Sequence, residues 1–294
     1  MELKDRIKGS LYAGAIGDCI GGYFENNANS YRDFLGFPWQ ISDDTQLTLA
    51  TCEAIIAAKG IEPAKIASQM LHWFNQNKIT GIGSSTLGAL KALQVGSHWA
   101  LAGRQGEFAA GNGAAMRMAP LAFLNPDRQT IADVARITHR NDEAYAGAFA
   151  VVESIKAAIS ERWTVESKLI PLLLETLPDT QLRDRLVLFN SEAGSVSEVG
   201  RKYGNSGFVV DTVPLAIYAA QQVNGCSLAE IFKEIIVSGG DTDTICAITG
   251  NIAGAYLGFE QLPAPYKAKL DTIKDAAVLV RLVDEFIEVV TAMR

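Results

Sequence analysis

Three glycines recur at helical spacing near the start of the chain, and they restrict what it can fold into. Gly14, Gly17 and Gly21 would line one face of a helix over residues 6–24. Each glycine weakens a helix by roughly 1 kcal/mol relative to alanine. Several of them on one face therefore favour a position where another backbone packs closely, and we predict that this helix lies at the centre of a bundle.

The rest of the chain also has the pattern of an all-α protein. Segments with helical periodicity recur with loops of about 2–8 residues, and no segment shows sustained alternation of apolar and polar side chains. No clean linker interrupts them, so we predict one all-α domain over residues 1–294. Residues 195–207 are interpreted as a loop, and residues 208–210 and 235–237 are very short strand candidates.

The composition argues against several classes of partner. The net charge is −7, which disfavours nucleic acid and anionic membranes because an acidic surface repels both. No apolar run approaches the roughly 20 residues of a membrane-spanning helix, and the N-terminal residues contain no apolar signal core. We expect a cytoplasmic monomer. Its scattered cysteines, without a C-x-x-C pair, are interpreted as reduced core residues: Cys19, Cys52, Cys226 and Cys246.

Two clusters of oxygen-bearing side chains lie far apart in the chain, each at the start of a helix-compatible segment. They consist of Ser42, Asp43, Asp44 and Thr45, and of Asp241, Thr242, Asp243 and Thr244. Such oxygens suit Mg²⁺, Mn²⁺ or Ca²⁺ better than soft metals, and helix N-termini favour ionised carboxylates. We predict that the fold brings the clusters together around metal. Taken alone, the earlier cluster also fits an ordinary N-cap.

Other positions have both a structural and a functional interpretation. Asp18 lies in an apolar stretch, as a buried structural carboxylate would, and Glu25 follows the glycine-rich helix. The glycines around Asn112 would expose backbone N–H groups to an anion, although an ordinary turn fits as well. His139 lies at a helix junction, where a capping or buried histidine also fits. Phe208 follows a turn and would either stack on a flat ring or simply pack.

Several known metal-dependent patterns do not match the acidic clusters. An isoprenoid-synthase D-D-x-x-D motif would need a carboxylate where Leu47 stands. A haloacid-dehalogenase D-x-D-x-T motif would need threonine at Ile245, together with a βαβ pattern that is absent. The His-Asp pair of an HD-type phosphohydrolase and the spacing of an EF-hand are absent too. The two acidic clusters therefore differ from all four of these metal-binding patterns.

The order of motifs along nearly the whole chain resembles the ADP-ribosylglycohydrolase family. One such motif would be weakly specific, whereas six in the family's order are strongly specific. The motifs are Gly14-Ala15-Ile16-Gly17-Asp18-Cys19-Ile20-Gly21 with Glu25, Ser42-Asp43-Asp44-Thr45, Gly111-Asn112-Gly113-Ala114-Ala115-Met116-Arg117, Thr138-His139, Ser206-Gly207-Phe208-Val209 and Gly240-Asp241-Thr242-Asp243-Thr244.

This resemblance implies an orthogonal helical bundle that removes ADP-ribose from an acceptor with two divalent cations, Mg²⁺ or Mn²⁺. The implied catalytic residues are Glu25, as an acid/base or gating carboxylate, with Asp43 and Asp243. The implied metal ligands are Ser42, Asp43, Asp44, Asp241, Asp243 and Thr244. The implied substrate-binding residues are Gly111, Asn112, Gly113, Met116, His139, Ser206, Gly207 and Phe208. The implied partner is an ADP-ribosylated protein or a small ADP-ribosyl compound.

Two departures from the family pattern border the expected acceptor site. The segment between Glu25 and Ser42 is short, and residues 108–110 are apolar. They leave arginine, serine and a free ADP-ribose derivative open as acceptors. Two other functions also stay open, namely a non-catalytic ADP-ribose binder and a metal hydrolase acting on another phosphorylated nucleotide or metabolite. Ser42 stands where such proteins more often have threonine, and it keeps the hydroxyl.

Overall fold

Helices form almost all of the regular structure in the computed structural model, which describes residues 1–25 and 33–293. The α-helices are α1 (Leu3–Phe24), α2 (Asp43–Ala58), α3 (Pro63–Asn75), α4 (Ser84–Gln94), α5 (Trp99–Ala102), α6 (Ala119–Ala122), α7 (Arg128–Arg136), α8 (Asp142–Ile159), α9 (Leu169–Leu174), α10 (Gln181–Asn190), α11 (Val196–Tyr203), α12 (Val209–Gln221), α13 (Leu228–Ser238), α14 (Thr242–Leu257), α15 (Ala264–Leu270) and α16 (Ala276–Ala292). The predicted all-α class is therefore confirmed. None of these helices, within the described ranges, combines the length and apolarity needed to cross a membrane.

The remaining regular elements are short. Two-residue strands β1 (Arg104–Gln105) and β2 (His139–Arg140) pair in parallel. An antiparallel bridge joins Gly111 to Phe208. Three 3₁₀ helices span Glu107–Ala109, Asn112–Arg117 and Gln222–Asn224. The strand candidates at 208–210 and 235–237 were wrong, because the first leads into α12 and the second lies inside α13.

The glycine-lined face of α1 packs directly against α14, as predicted. A β-carbon added at Gly17 or Gly21 would overlap the backbone carbonyl group of Cys246 or Thr242. Gly250 on α14 faces α1 in the same way. Both helices are buried along nearly their whole length. Because the second acidic cluster begins α14, this close packing fixes that cluster relative to the end of α1.

We expect Gly17→Ala to lower the free energy of unfolding, because the added methyl group meets backbone that cannot rotate away. Overpacking of this kind typically costs about 1–3 kcal/mol. Gly88→Ala in α4 is the matched control, since no atom lies within 4 Å of its added β-carbon and alanine favours a helix. Urea denaturation of both variants checks this. Equal stability of the two proteins would contradict the proposed backbone contact.

Two further sequence predictions need correction or fall outside the structure. The segment 195–207 is not a loop throughout, because it contains α11, which Ser195 and Glu198 begin with a reciprocal capping box. Cys226 is exposed, whereas Cys19 and the remaining two cysteines are buried, and all four are free thiols. Cys226 lies in the turn between α12 and α13, away from the core. Residues 26–32, part of the short segment after Glu25, lie outside the described residues.

Candidate functional site

The turn between α13 and α14 places the second acidic cluster. Gly239 and Gly240 both have positive φ, at 77° and 80°. Residues with a side chain are strained in this conformation, which glycine adopts readily. The Asp241 N–H donates to the Asn205 carbonyl at 2.8 Å. The Asn205 side chain donates to the Ser238 carbonyl at 2.8 Å. This network holds the first turn of α14 against the loop that follows α11.

The start of α2 is held by Asp18, which is completely buried in α1. Its carboxylate accepts hydrogen bonds from the Ser42 N–H at 2.9 Å, the Ser42 hydroxyl at 2.7 Å and the Thr45 N–H at 3.2 Å. The two N–H groups among these donors belong to the N-terminus of α2, where backbone N–H groups have no partner within the helix. Asp18 therefore has the position of a structural carboxylate that attaches the first acidic cluster to α1.

The two acidic clusters meet at one cleft between α1, α2 and α14. Carboxylate oxygens of Glu25, Asp241 and Asp243 all lie within 4.8 Å of one another. Asp43 lines the same cleft, and the Thr244 hydroxyl lies 3.4 Å from an Asp44 carboxylate oxygen. Residues separated by most of the chain are thereby combined into a single oxygen-rich surface.

Crowding and burial disfavour ionisation of these carboxyl groups. Burial, and then Asp241, raises the pKa of Asp243 to about 9. Burial, and then Asp18, raises the pKa of Asp43 to about 7. Burial and neighbouring carboxylates raise the pKa of Asp44 well above its ordinary value, and burial with Asp241 raises that of Glu25. None of these carboxyl groups forms an ion pair with a residue in the described ranges 1–25 and 33–293.

The side chains of these residues are suitable ligands for a hard divalent cation. All of the donors are carboxylate or hydroxyl oxygens, which such cations prefer. One oxygen of Asp44, Oδ1, is buried without a hydrogen-bond partner in the described part of the chain. Ser42 differs from the other predicted ligands, because its hydroxyl contacts Asp18 and lies 3.1 Å from Asp44. Neither Ser42 nor Asp44 lines the cleft itself.

Another wall of the cleft is formed by the glycine-asparagine segment, residues 111–113, which precedes α6. The cavity has a volume of about 320 Å³. The Asn112 amide nitrogen donates to Asp241 at 2.7 Å and to Thr212 at 3.0 Å, and its backbone N–H donates to the Gly207 carbonyl at 3.1 Å. Most of the predicted substrate-binding residues line this wall: Gly111, Asn112, Gly113, Met116, His139 and Gly207.

Two predicted substrate-binding residues lie outside this cleft. The Ser206 hydroxyl donates to Asp211 at 2.7 Å, so it is hydrogen-bonded to the first turn of α12. Phe208 is 38% exposed and lines a neighbouring depression together with Phe108, which is 80% exposed. The two aromatic rings therefore lie beside the glycine-asparagine wall rather than at the acidic surface.

Sequence reasoning missed one side of the cleft, formed by residues 81–86. Gly81, Ser85 and Thr86 are among its lining residues, and a β-carbon at Gly81 would lie 3.3 Å from Asp43. The Asp43 N–H donates to the Thr80 carbonyl at 2.9 Å, which fixes this loop beside α2. The available signal was a glycine-rich stretch leading into a helix, the same pattern that marked residues 111–113.

His139 is held neutral at the base of the cleft. It is 3% exposed, and burial, followed by Arg117 and Arg104, lowers its pKa to about 3. Arg117 is completely buried and donates to the carbonyl groups of Gly113 and Val134. Burial lowers the pKa of Arg117 to about 9. His139 thus faces the cleft as a neutral imidazole with a cation behind it.

This depressed histidine pKa predicts a specific loss of stability in acid. The unfolded chain binds a proton near pH 6.5 but the folded His139 does not until about pH 3, so stability falls as the pH drops through that window. Between pH 6.5 and 4.5 we expect wild type to lose about 2–3 kcal/mol relative to His139→Gln. Urea denaturation across this range measures the difference. His72→Gln, on the exposed face of α3, is the control, and an equal effect there would contradict the assignment.

Comparison with known proteins identifies the family of this chain. The model of the family "ADP-ribosylglycohydrolase" matches residues 1–293. The chain belongs to the ADP-ribosylglycohydrolase family. It is 26% identical to the ADP-ribosylhydrolase ARH3 of Xenopus tropicalis, with 92% of each protein covered. It is 27% identical to the ADP-ribosylarginine hydrolase Tri1 of Pseudomonas putida, over 92% of this chain and 75% of Tri1.

A solved structure shares the fold of the present chain. It is described as an ADP-ribosylglycohydrolase-related protein complex, and it superposes with a TM-score of 0.76. The match covers 98% of both chains at 23% sequence identity. At this identity the likeness establishes the fold alone.

Proposed function

We propose that this protein is a metal-dependent hydrolase that cleaves the N- or O-glycosidic bond between ADP-ribose and an acceptor. The observation that supports it most strongly is the pairing of two unlike walls in one cleft. One wall carries Glu25, Asp43, Asp241 and Asp243, and the other carries the glycine-asparagine segment. The acceptor is a modified protein side chain or a small ADP-ribosyl compound.

The two walls suit the two parts of ADP-ribose. Its diphosphate is dianionic, and an acidic protein can bind it through backbone N–H groups and through cations. A 3₁₀ helix begins at Asn112, and the N–H groups that follow Asn112 in its first turn have no partner within that helix, whereas the Asn112 N–H itself donates to the Gly207 carbonyl. The ribose would then face the carboxylates. Two relatives carry names that refer to hydrolysis of ADP-ribosyl groups, ARH3 and Tri1.

The residues of this chain divide the chemistry between them. Two divalent cations, Mg²⁺ or Mn²⁺, would supply positive charge that orients the ribose hydroxyls and stabilises charge as the C1″ bond breaks. Asp43, Asp44, Asp241, Asp243 and Thr244 would hold the cations.

The hydrolytic step needs one proton acceptor or donor close to the ribose. A water oxygen forms the new bond to C1″, the bond from C1″ to the acceptor breaks, and the acceptor leaves with a proton. Glu25 would transfer that proton, because it lies beside Asp241 and Asp243 and because burial and Asp241 raise its pKa above the ordinary value. Ser42 would act through Asp44 rather than directly, since its hydroxyl contacts Asp18 and Asp44.

A panel of arginine-, serine- and acetyl-linked ADP-ribose substrates tests this proposal. We expect release of free ADP-ribose with Mg²⁺ or Mn²⁺, and its loss with a chelator or in Asp43→Ala and Asp241→Ala. Turnover that is insensitive to both treatments would refute the metal mechanism. Tight ADP-ribose binding without hydrolysis of any substrate would indicate a non-catalytic binder. Release of inorganic phosphate from another nucleotide would indicate a different metal hydrolase.

A further inference from the structure

The side chains of Thr138 and His139 form an isolated pair behind the glycine-asparagine wall. The Thr138 hydroxyl oxygen lies 2.7 Å from His139 Nδ1, and Thr138 is completely buried. Among the described residues this is the only hydrogen bond that the Thr138 hydroxyl makes. The Thr138 hydroxyl is therefore shielded from water and has no other acceptor among the described residues.

This isolation determines which atom carries the shared proton. If Nδ1 donated, the hydroxyl hydrogen of Thr138 would be buried without an acceptor, which costs about 1–3 kcal/mol. If the hydroxyl donates, both groups are satisfied and Nδ1 accepts. A neutral imidazole has one N–H, so its proton then lies on Nε2.

The other ring nitrogen is directed at the cleft. Nε2 has no hydrogen-bond partner in the part of the chain that the structure describes, although His139 is only 3% exposed. A β-carbon at Gly111 would lie 3.2 Å from Nε2, and one at Gly113 would lie 3.0 Å from the adjoining ring carbon. Only glycine leaves this face of the ring open to a ligand.

A charged imidazolium would not fit the same surroundings. Protonation at Nδ1 would displace the hydrogen bond from the Thr138 hydroxyl. The guanidinium groups of Arg117 and Arg104 also disfavour a second positive charge at the ring. Arg117 forms no ion pair within residues 1–25 and 33–293, so its charge is not cancelled by a carboxylate.

We propose that Thr138 is a positioning residue that holds His139 in the Nε2–H tautomer, as a fixed neutral donor to an acceptor oxygen of the bound ligand. The tautomer follows from the fold alone. Its use in binding rests on the proposed function, in which phosphoryl or hydroxyl oxygens of ADP-ribose occupy the cleft. Thr138 is not among the residues that line the cleft, and it would act through the ring of His139.

Long-range ¹⁵N–¹H correlation spectra of ¹⁵N-histidine-labelled protein at pH 7 test the tautomer directly. The chain has three histidines, so His72→Gln and His98→Gln leave the His139 signals assigned. We expect Nε2 to appear as the protonated nitrogen in wild type and in Thr138→Ser. Thr138→Val should show the Nδ1–H form as well. A wild-type Nδ1–H ring, or an unchanged Thr138→Val spectrum, would overturn the proposal.

Calorimetric titration with ADP-ribose, in the presence of Mg²⁺, tests the consequence for binding. Thr138→Val should weaken binding about tenfold, the value of one hydrogen bond, and Thr138→Ser should restore it. Thr51→Val is the control, because Thr51 is equally buried and donates to Leu47 at 2.8 Å. Equal losses in both valine variants would overturn the positioning role. An Nε2–H spectrum without any ADP-ribose binding would instead count against the proposed function.

Discussion

Replacing Asp243 with asparagine is expected to abolish release of ADP-ribose while making the metal-free protein more stable. Asp243 lies within 4.8 Å of Glu25 and Asp241, and burial with Asp241 raises its pKa to about 9. An amide of the same shape is neutral at every pH, so the half-buried side chain no longer has to take up a proton on folding, but it is a poorer ligand for a hard cation. We expect turnover to fall by about 100-fold or more. We expect the free energy of unfolding of the metal-free protein to rise by about 2 kcal/mol.

The opposite signs of these two effects distinguish a functional carboxylate from a structural one. Asp184→Asn is a matched control, because Asp184 also lies in the first turn of a helix but is exposed. It should leave turnover unchanged. Initial rates with Mg²⁺ and urea denaturation in a chelator measure both properties. A less stable Asp243→Asn protein would show that Asp243 supports the fold rather than the chemistry.

The positions of the main candidate site residues could be predicted because short stretches of sequence contain an unusual number of oxygen-bearing side chains. Four oxygen-bearing residues in succession exceed what one N-cap requires, and Asp43 and Asp241 indeed reach one cleft. The glycine spacing of α1 likewise predicted close backbone contact, since only a residue without a side chain tolerates it. In both cases a single local property decided the outcome.

The direction of individual side chains could not be predicted, because it depends on partners distant in sequence. Ser42 carries the right hydroxyl, but Asp18 accepts a hydrogen bond from it at 2.7 Å. Ser206 is similarly bonded to Asp211. Nothing in the local motif of either serine distinguishes a group that faces the cleft from one that supports it. The exposed and buried sides appear only once the helices have packed.

The helix missed at 196–203 is a different kind of error. Its signal was present in the sequence, as Ser195 followed three residues later by Glu198, with Val196 and Val199 at helical spacing. The capping box predicts a helix start. The following glycine and asparagine residues favoured a loop, and they do form the turn that holds Asp241. Here two valid local signals were adjacent, and the loop signal was extended too far.

The pH dependence of stability is expected to reverse sign when divalent cations are added. In the metal-free protein, Asp43 and Asp243 have pKa values of about 7 and about 9, whereas the unfolded chain releases these protons near pH 4. Between those values the folded state binds more protons. The contribution of these two carboxyl groups to the stability of the metal-free protein therefore rises as the pH falls from about 9 to about 4.

Bound cations would favour the ionised carboxylates and lower their pKa values in the folded state. The folded protein then binds fewer protons than the unfolded chain, and its stability falls as the pH falls. Each fully shifted group contributes about 1.4 kcal/mol per pH unit. At a hundredfold excess over the dissociation constant, a cation also stabilises the folded state by about 2.7 kcal/mol at a given pH.

Urea denaturation at several pH values, with Mg²⁺, Mn²⁺ or a chelator, separates these contributions. His139 contributes equally in all three conditions, so it cancels from the difference between them. We expect the stabilisation by cation to be largest at high pH and to vanish as the carboxyl groups become protonated. The double variant Asp43→Asn/Asp243→Asn should lose most of this difference. A cation effect that is independent of pH would mean that these carboxylates are not the ligands, because competition between protons and metal is unavoidable at a shared oxygen.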